Sequence, residues 1–341
     1  MFVELIEHNY RLFIFDNCRE YFVMNILVTG AAGFIGSHMA EFLVKQGHNV
    51  WGLDSFTEYY SPSLKMMNKD VIVAKGVHFI EGDLLDNLHM LLPKEINVIY
   101  HFAAQPGIAA HTSFKLYERN NILATQNLVD WSLSLEKRLK MFVNISTSSV
   151  YGLEAIGDEN AIAEPASNYG VTKLAGEQIV LAANRIYEIP ACSMRLYSVY
   201  GPRERPEKLY TKLIKAILED KPFPLFKGSE GHLRSFTYVG DIVMGLSRIL
   251  DRIEVCNGQI INLGNDEVYS TADGIALVES LLGKKVIIET KESRSGDQLK
   301  TSANILKAKR ILDYKPTTSF KNGLKGQIKW YQENCVNNYY S

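Results

Sequence analysis

Tyr169 and Lys173 lie four residues apart in the stretch Tyr-Gly-Val-Thr-Lys. On a helix this spacing places both side chains on one face. An ammonium near a phenol favours the phenolate and lowers a tyrosine pKa that starts near ~10. Such a tyrosine can act as a general base near neutral pH, which a proton transfer coupled to a hydride transfer requires. Because Tyr-x-x-x-Lys also arises by chance, its meaning depends on the elements around it.

A hydroxyl that could assist this tyrosine follows a predicted strand. The apolar run over residues 140–146 ends directly before Thr147. Parallel sheets present substrate-binding groups at the carboxyl ends of their strands. We therefore expect Thr147 to bridge a substrate oxygen and Tyr169. The alternative is that Thr147 is only the polar residue that ends the strand.

A glycine-rich turn precedes these groups in the chain. Three glycines at three-residue spacing follow an apolar strand over residues 26–28 and lead into an apolar helical run. Such a turn lets a pyrophosphate approach the backbone, and the helix start supplies N–H donors and a positive dipole end. An ordinary tight turn is the alternative. We predict a dinucleotide site whose first contacts are Gly30, Gly33, Phe34, Ile35 and Gly36.

Later strand ends complete this predicted site. Asp54 ends the second strand at about the 20-residue offset expected of a carboxylate that binds the adenosine ribose. Such a carboxylate repels a 2′-phosphate and so favours NAD over NADP. Asp83 and Leu84 follow the third strand, where the aspartate can accept from the adenine amino group, cap a helix, or do both. Ala103, a small residue after the fourth strand, lets the chain pass close to the cofactor.

Composition limits the classes of function and partner. The 341 residues carry a net charge of −1, which gives no electrostatic footprint for nucleic acid or an anionic membrane. Four scattered cysteines without a Cys-x-x-Cys pair indicate reduced thiols in the cytoplasm and no zinc site. The histidines His38, His101 and His111 lack metal-ligand spacing. We expect no metal and, without a long apolar run, no membrane span.

The alternation of strands and helices over about 200 residues predicts an α/β fold: a Rossmann-type, doubly wound parallel sheet. We read the segment 55–65 as a polar, aromatic loop and residues 114–135 as one helix. The smaller C-terminal, substrate-binding domain is expected to be built from interleaved segments. The predicted units are an N-terminal extension (1–23), an NAD-binding domain (24–198) with a returning edge strand (259–264), and a substrate-binding domain (199–258 and 265–341).

Several motifs together resemble a known family. They are Thr-Gly-Ala-Ala-Gly-Phe-Ile-Gly, His-Phe-Ala-Ala, Ser-Thr-Ser-Ser-Val-Tyr-Gly, Tyr-x-x-x-Lys and Arg-x-x-Gly-Asp. The chain from residue 24 to about residue 334 resembles the extended short-chain dehydrogenase/reductase family of NAD-dependent nucleotide-sugar epimerases and dehydratases. The resemblance implies tightly held NAD, contacted by Tyr169 and Lys173 among others, and a UDP-sugar substrate. It also implies a homodimer that pairs helices 114–135 and 169–184.

Further segments resemble the UDP-glucuronate 4-epimerases within that family. They are Asp-x-x-x-x-Tyr-Tyr-x-x-x-Leu-Lys, Tyr-Gly-Pro-Arg-x-Arg-Pro, Arg-Ser-Phe-Thr-Tyr and Gly-Asp-Gln-Leu-Lys-Thr-Ser. The subgroup usually has Thr at the position of Ser198, which keeps the hydroxyl, and Asp at that of Asn304. Guanidinium groups present paired donors to phosphate oxygens. The resemblance implies substrate contacts from Ser148, Ser198, Arg205, Arg234, Arg294 and Asp297.

The residues that follow Thr147 select among the reactions of this family. Related dehydratases and decarboxylases have Asp or Glu there, whereas this chain has Ser148 and Ser149. We therefore expect epimerisation at C4 of a UDP-sugar through a 4-keto intermediate, from UDP-glucuronate to UDP-galacturonate, in polysaccharide biosynthesis. The alternatives are UDP-glucose or UDP-N-acetylglucosamine as substrate, or a catalytically silent NAD-binding regulator.

Overall fold

The computed structural model describes residues 23–107, 112–292 and 298–335. His111 and two predicted substrate contacts, Arg294 and Asp297, lie outside these ranges.

The central element of the described chain is a seven-stranded sheet in which all neighbouring strands run parallel. The strands are β1 (Asn25–Thr29), β2 (Asn49–Asp54), β3 (His78–Glu81), β4 (Val98–His101), β5 (Met141–Thr147), β6 (Ala191–Leu196) and β7 (Ile260–Leu263). Their spatial order is β7-β6-β5-β4-β1-β2-β3, so successive strands are added on one side of β1 up to β3 and on its other side from β4 onwards. This confirms the predicted doubly wound α/β fold.

Helices cover both faces of the sheet. Ile26 and Val28 pack with one apolar cluster, whereas Leu27 between them packs with a second cluster on the opposite face. Burial on both faces explains why the strands read as nearly continuous apolar runs. The helices are α1 (Phe34–Lys45), α2 (Pro62–Ala74), α3 (Leu88–Leu91), α4 (Phe114–Tyr117), α5 (Ala124–Leu133), α6 (Asn168–Tyr187), α7 (Leu209–Leu218), α8 (Val239–Ser247), α9 (Ile253–Cys256), α10 (Thr271–Leu282), α11 (Leu306–Leu312) and α12 (Phe320–Asn334).

The segment predicted as one helix over 114–135 is not uniformly α-helical. A π-helix, Glu118–Leu123, separates α4 from α5. A π-helix closes its hydrogen bonds over five residues instead of four, and such segments often occur at functional sites. Here it approaches α6 closely, because a Cβ on Gly176 would lie 2.8 Å from the carbonyl oxygen of Asn121.

The segment predicted as a loop over 55–65 ends earlier than expected. Pro62 occupies the first turn of α2, a position where its missing N–H costs no hydrogen bond. Leu64, Asn68 and Ile72 then repeat at helical spacing and are fully buried. The extension of the loop to residue 65 was therefore wrong.

The C-terminal part of the chain has its own aromatic cluster, in which Tyr200, Tyr210, Phe236 and Phe320 are in mutual contact. Within the described ranges, no helix has the length and apolar character needed to cross a membrane. The short strands outside the central sheet are Glu154–Ala155, Val199–Tyr200, Pro222–Phe226, Leu233–Arg234, Thr237–Tyr238, Tyr269–Ser270, Ile287–Lys291 and Lys300–Thr301.

Candidate active site

A cavity of about 1380 Å³ lies at the carboxyl ends of the central strands. Every predicted site residue within the described ranges lines this cavity, so residues that are distant in sequence lie around one space. They are Gly30, Gly33, Phe34, Ile35, Gly36, Asp54, Asp83, Leu84, Ala103, Thr147, Ser148, Tyr169, Lys173, Ser198, Arg205 and Arg234.

The glycine turn connects β1 to α1 at one end of the cavity. Gly30 has φ +69°, a conformation that glycine adopts readily, and a Cβ there would lie 2.8 Å from the backbone nitrogen of Ala103. Gly33 is the N-cap residue of α1 and supplies no side-chain cap, and the first turn of α1 contains no acidic residue. The start of α1 lines the cavity and its N–H groups have no side-chain cap, which suits an anion.

Asp54 lies beside this turn at the end of β2. One carboxylate oxygen accepts from the backbone N–H of Ala32 at 3.1 Å and the other from that of Phe56 at 2.9 Å. Burial raises the pKa of this carboxyl. Lys65 reinforces the loop because its ammonium donates to the carbonyl and hydroxyl oxygens of Thr57, at 2.6 and 3.0 Å. Sequence reasoning did not find this role for Lys65.

Asp83 has partners that the sequence did not suggest. Its carboxylate accepts from the backbone N–H of Leu85 at 2.9 Å and forms an ion pair with Arg119, also at 2.9 Å. The N-cap residue of α3 is Asn87, so the helix-cap interpretation of Asp83 was wrong. The contact with adenine stays a prediction.

Tyr169 and Lys173 lie in the first turns of α6, whose N-cap is Ser167. The hydroxyl of Thr147 lies beside Tyr169. Burial raises the pKa of Tyr169, while the charge of Arg205 and the Thr147 hydroxyl oppose the rise. Burial also lowers the pKa of Lys173 to about 8, against the opposing charge of Glu177. In this structure Arg205 is thus a cation that favours the phenolate; the expected effect of Lys173 stays a prediction.

The turn after β5 presents hydroxyl groups to the cavity. The Thr147 hydroxyl accepts from the backbone N–H of Ser149 at 3.2 Å, which holds the turn against the end of the strand. Gln298, missed in the sequence analysis, donates to the carbonyl oxygens of Gly152 at 2.9 Å and Ser148 at 3.3 Å. The groups that this turn presents to the cavity are therefore neutral and polar.

Cationic side chains line a further part of the cavity. The guanidinium of Arg205 lies 5.8 Å from the ring centre of Tyr59 and 2.9 Å from a carboxylate oxygen of Glu207. Arg234 and Lys208 line the same cavity. This charge suits an anionic ligand such as a diphosphate.

The family model described as "NAD dependent epimerase/dehydratase family" matches residues 26–264. The chain belongs to this family. Its relatives include the uncharacterized UDP-glucose epimerase YtcB of Bacillus subtilis, 39% identical over 90% of this chain and 98% of that protein. UDP-glucuronate 4-epimerase 3 of Arabidopsis thaliana is 37% identical over 90% of this chain and 76% of that protein. The UDP-glucuronic acid 4-epimerase of Bacillus cereus, solved with UDP-glucuronic acid and NAD, is 38% identical, with a TM-score of 0.87 over 91% of this chain and 99% of that chain.

NAD is the cofactor of the epimerase/dehydratase family, and the residues present here fit it. The uncapped start of α1 at Gly33 suits a pyrophosphate, and each oxygen of Asp54 keeps capacity for a ribose hydroxyl. The cavity is larger than the about 300–1,000 Å³ typical of a single-ligand site, so cofactor and substrate can share it. Among the described residues, no group of three or more His, Cys, Asp or Glu side chains could hold a metal ion.

Proposed function

We propose that this member of the family converts UDP-glucuronate to UDP-galacturonate by inverting the configuration at C4. The observation that carries the proposal is the wall beside Tyr169. It consists of the hydroxyl groups of Thr147, Ser148 and Ser149, with Thr147 beside Tyr169. A general base is present, while these positions lack the carboxylate that elimination would require.

In the proposed reaction, Tyr169 accepts the proton of the C4 hydroxyl as the 4-keto sugar forms. It returns the proton after the sugar has turned its other face towards the cofactor. Bound NAD supplies the acceptor, and later the donor, of the C4 hydride. We propose that the Thr147 hydroxyl, which donates to the hydroxyl of Ser149 at 3.3 Å in this structure, turns to donate to the tyrosine oxygen and so stabilises the phenolate. Arg205 supports the same charge from the substrate side of the cavity.

Retention of the sugar carboxylate sets a second requirement. A 4-ketoglucuronate is a β-keto acid, whose carboxylate tends to leave as carbon dioxide. Ser148 and Ser198 line the cavity, and we propose that their hydroxyls hold the carboxylate out of alignment with the carbonyl. Hydrogen bonds to a charged group contribute about 1.5–3 kcal/mol each, enough to select one orientation.

The diphosphate of UDP is assigned to the cationic end of the cavity. Arg205 and Arg234 line it, and the resemblance adds Arg294 as a further phosphate contact and Asp297 as a substrate contact. We propose that the diphosphate takes the place of Glu207 at the Arg205 guanidinium, because both are anions that pair with the same donors.

The test is a panel of UDP-sugars with the products identified by chromatography. UDP-glucuronate should be converted at least ~10²-fold more efficiently than UDP-glucose, because two lost charge-assisted hydrogen bonds exceed 2.7 kcal/mol and each 1.4 kcal/mol is tenfold. The Bacillus subtilis relative named as a UDP-glucose epimerase makes UDP-glucose the second candidate. Equal conversion of UDP-glucuronate and UDP-glucose would favour this second candidate. If no UDP-sugar is converted, the result would favour a catalytically silent regulator.

Organisation and cellular setting complete the proposal. We assign residues 24–198 and 259–264 to NAD binding, and 199–258 and 265–341 to the UDP-sugar. Exposed apolar residues on the helices around α4–α6, including Phe114 and Leu123, support a homodimer. Cys192 and Cys256 are buried free thiols, which supports a reducing cytoplasm. Supply of UDP-galacturonate to polysaccharide biosynthesis follows from the proposed product.

A further inference from the structure

The segment Gly201–Pro206, here called the 201–206 turn, is fastened to α1. The guanidinium of Arg203 donates to a carboxylate oxygen of Glu41 at 2.7 Å and to the hydroxyl of Ser37 at 3.3 Å. The carbonyl oxygen of Pro202 is 2.9 Å from the Nε2 atom of His38. Since α1 begins at the glycine turn, Arg203 joins the substrate end of the cavity to the helix that carries the cofactor turn. It does not itself line the cavity wall beside Arg205.

The same turn is fastened on its opposite side by the next residue. Glu204 is buried, and one oxygen of its carboxylate accepts from the side-chain amide of Gln327 at 2.6 Å and from the hydroxyl of Thr211 at 3.3 Å. Gln327 belongs to α12 and Thr211 to α7, both in the C-terminal aromatic region. Consecutive side chains therefore hold the turn from two sides, and Arg205 follows directly.

Backbone geometry shows that the turn depends on these contacts. Arg203 has φ +67°, a left-handed conformation that residues with a Cβ rarely adopt. Such a conformation persists only where the surrounding contacts determine it. The Arg203 side chain is 11% exposed and supplies contacts of this kind. Without them the backbone is free to relax, and Arg205 moves with it.

We propose that Arg203 is a positioning residue that fixes Arg205 at the diphosphate site through its ion pair with Glu41. The inference rests on the proposed function, because it assigns Arg205 to the UDP diphosphate. Misplacement of a binding group by 1 Å is sufficient for large losses in enzymes. Arg203 therefore governs UDP affinity without touching UDP.

The primary experiment compares UDP binding by the NAD-loaded protein and its Arg203→Gly variant, using calorimetry. Glycine accepts the left-handed backbone, so the change removes the side chain without adding strain. We expect UDP to bind about tenfold more weakly, with NAD retained. KM for UDP-glucuronate should rise about tenfold with kcat changed less than about threefold, and Arg203→Lys should restore part of the loss.

Two further variants separate positioning from a general loss of stability. Glu41→Ala removes the partner and should weaken UDP binding like Arg203→Gly. Lys75→Ala is the matched control, because Lys75, the C-cap residue of α2, pairs with the same carboxylate and should leave UDP binding unchanged. Comparison of the unfolding temperatures of all three variants reports any loss of fold.

A double-mutant cycle with Arg205→Ala decides whether Arg203 acts through Arg205. We expect Arg203→Gly to add little to the loss caused by Arg205→Ala alone. Additive losses, or equal UDP binding by the unmodified protein and Arg203→Gly, would overturn the positioning role and leave the proposed function standing. Failure of the unmodified protein to bind UDP would instead overturn both.

Discussion

Asn121 in the π-helix donates its side-chain amide to the hydroxyl of Thr172, the residue before Lys173, over 3.0 Å. The same side chain accepts from the backbone N–H of Gln105 at 2.7 Å. One amide thus joins the chain after β4, which passes the cavity, to the helix that carries Tyr169 and Lys173. Because all of these partners are buried, the amide is costly to remove.

Asn121→Ala should lower the free energy of unfolding by about 1–3 kcal/mol, because it leaves the buried N–H of Gln105 without its acceptor. Urea-induced unfolding measures the change. Thr172→Ser, which keeps the hydroxyl, is the matched control and should cost less. A cost below about 0.5 kcal/mol for Asn121→Ala would mean that water replaces the amide.

Tyr169→Phe should retain NAD and lose about 10²–10⁴-fold in kcat, because it removes the proton acceptor. Turnover of UDP-glucuronate measures the loss. Lys173→Ala should lower the rate and move the activity profile to higher pH. Tyr117→Phe provides a comparison, since the Tyr117 ring centre is 6.3 Å from that of Tyr169 but its hydroxyl donates to the carbonyl of Gly107. Its loss should be much smaller; comparable losses would argue against Tyr169 as the base.

Cofactor preference should depend on Asp54. The purified protein should carry NAD(H), and NADP should not replace it, because the carboxylate repels a 2′-phosphate. Asp54→Ala combined with Ser55→Arg should weaken this preference, whereas Ser55→Arg alone should not. Fluorescence titration with both reduced cofactors measures it. Equal affinity of the unmodified protein for the two would contradict the role given to Asp54.

The stability of the fold should fall between pH 6.5 and about pH 4 through His101. Burial lowers its pKa to about 3, and its ring nitrogens are hydrogen-bonded to Thr29 and Thr125. The unfolded chain therefore takes up a proton that the native protein does not bind. For this one group, the free energy of unfolding falls by about 1.4 kcal/mol for each unit by which the pH is lowered.

Other buried groups change the same curve, so the prediction concerns a difference. His38, with a pKa lowered to about 4 by burial, acts in the same direction. Glu204, with a pKa raised to about 7 by burial, acts in the opposite one, because the native protein holds its proton more tightly. His101→Gln should flatten the pH dependence relative to the unmodified protein in urea unfolding. If the unfolding free energies of the two proteins depend on pH in parallel, the native protein binds the His101 proton over the same pH range as the unfolded chain.

Ser198→Ala should narrow the preference for UDP-glucuronate over UDP-glucose, because one hydrogen bond to the sugar carboxylate is lost. The less firmly held β-keto acid should also release some decarboxylated pentose product. Chromatography of the nucleotide sugars measures both effects. Ser198→Thr keeps the hydroxyl and should behave like the unmodified protein. An unchanged preference in Ser198→Ala would place the carboxylate elsewhere.

The sequence predicts most of the sheet because strands buried on both faces need apolar runs, and glycine spacing identifies the nucleotide turn. Short-range spacing likewise identifies Tyr169 and Lys173. The burial of Leu64, Asn68 and Ile72 shows that a helical period was present in the segment interpreted as a loop. The spacing of these residues in the sequence is sufficient to predict the start of the helix.

Other features depend on contacts that no local pattern encodes. The π-helix forms where Gly176 lets α6 approach Asn121, a pairing across more than fifty residues. The motif Tyr-Gly-Pro-Arg-x-Arg-Pro contains both Arg203 and Arg205 and does not tell their roles apart. The left-handed backbone at Arg203 directs its guanidinium to Glu41, and of the two only Arg205 lines the cavity. The partner of Asp83, Arg119, lies 36 residues away in sequence.

The position of β7 at the edge of the sheet has a consequence during synthesis. The ribosome completes β6 at residue 196, but its outer neighbour is finished only at residue 263. All six residues of β6 are buried in the finished sheet, so the emerging chain carries an apolar strand with one unpaired edge. Nascent domains begin to fold from the N-terminus, and unpaired edges invite intermolecular pairing. The chain is therefore most prone to aggregate while residues 197–263 are being translated.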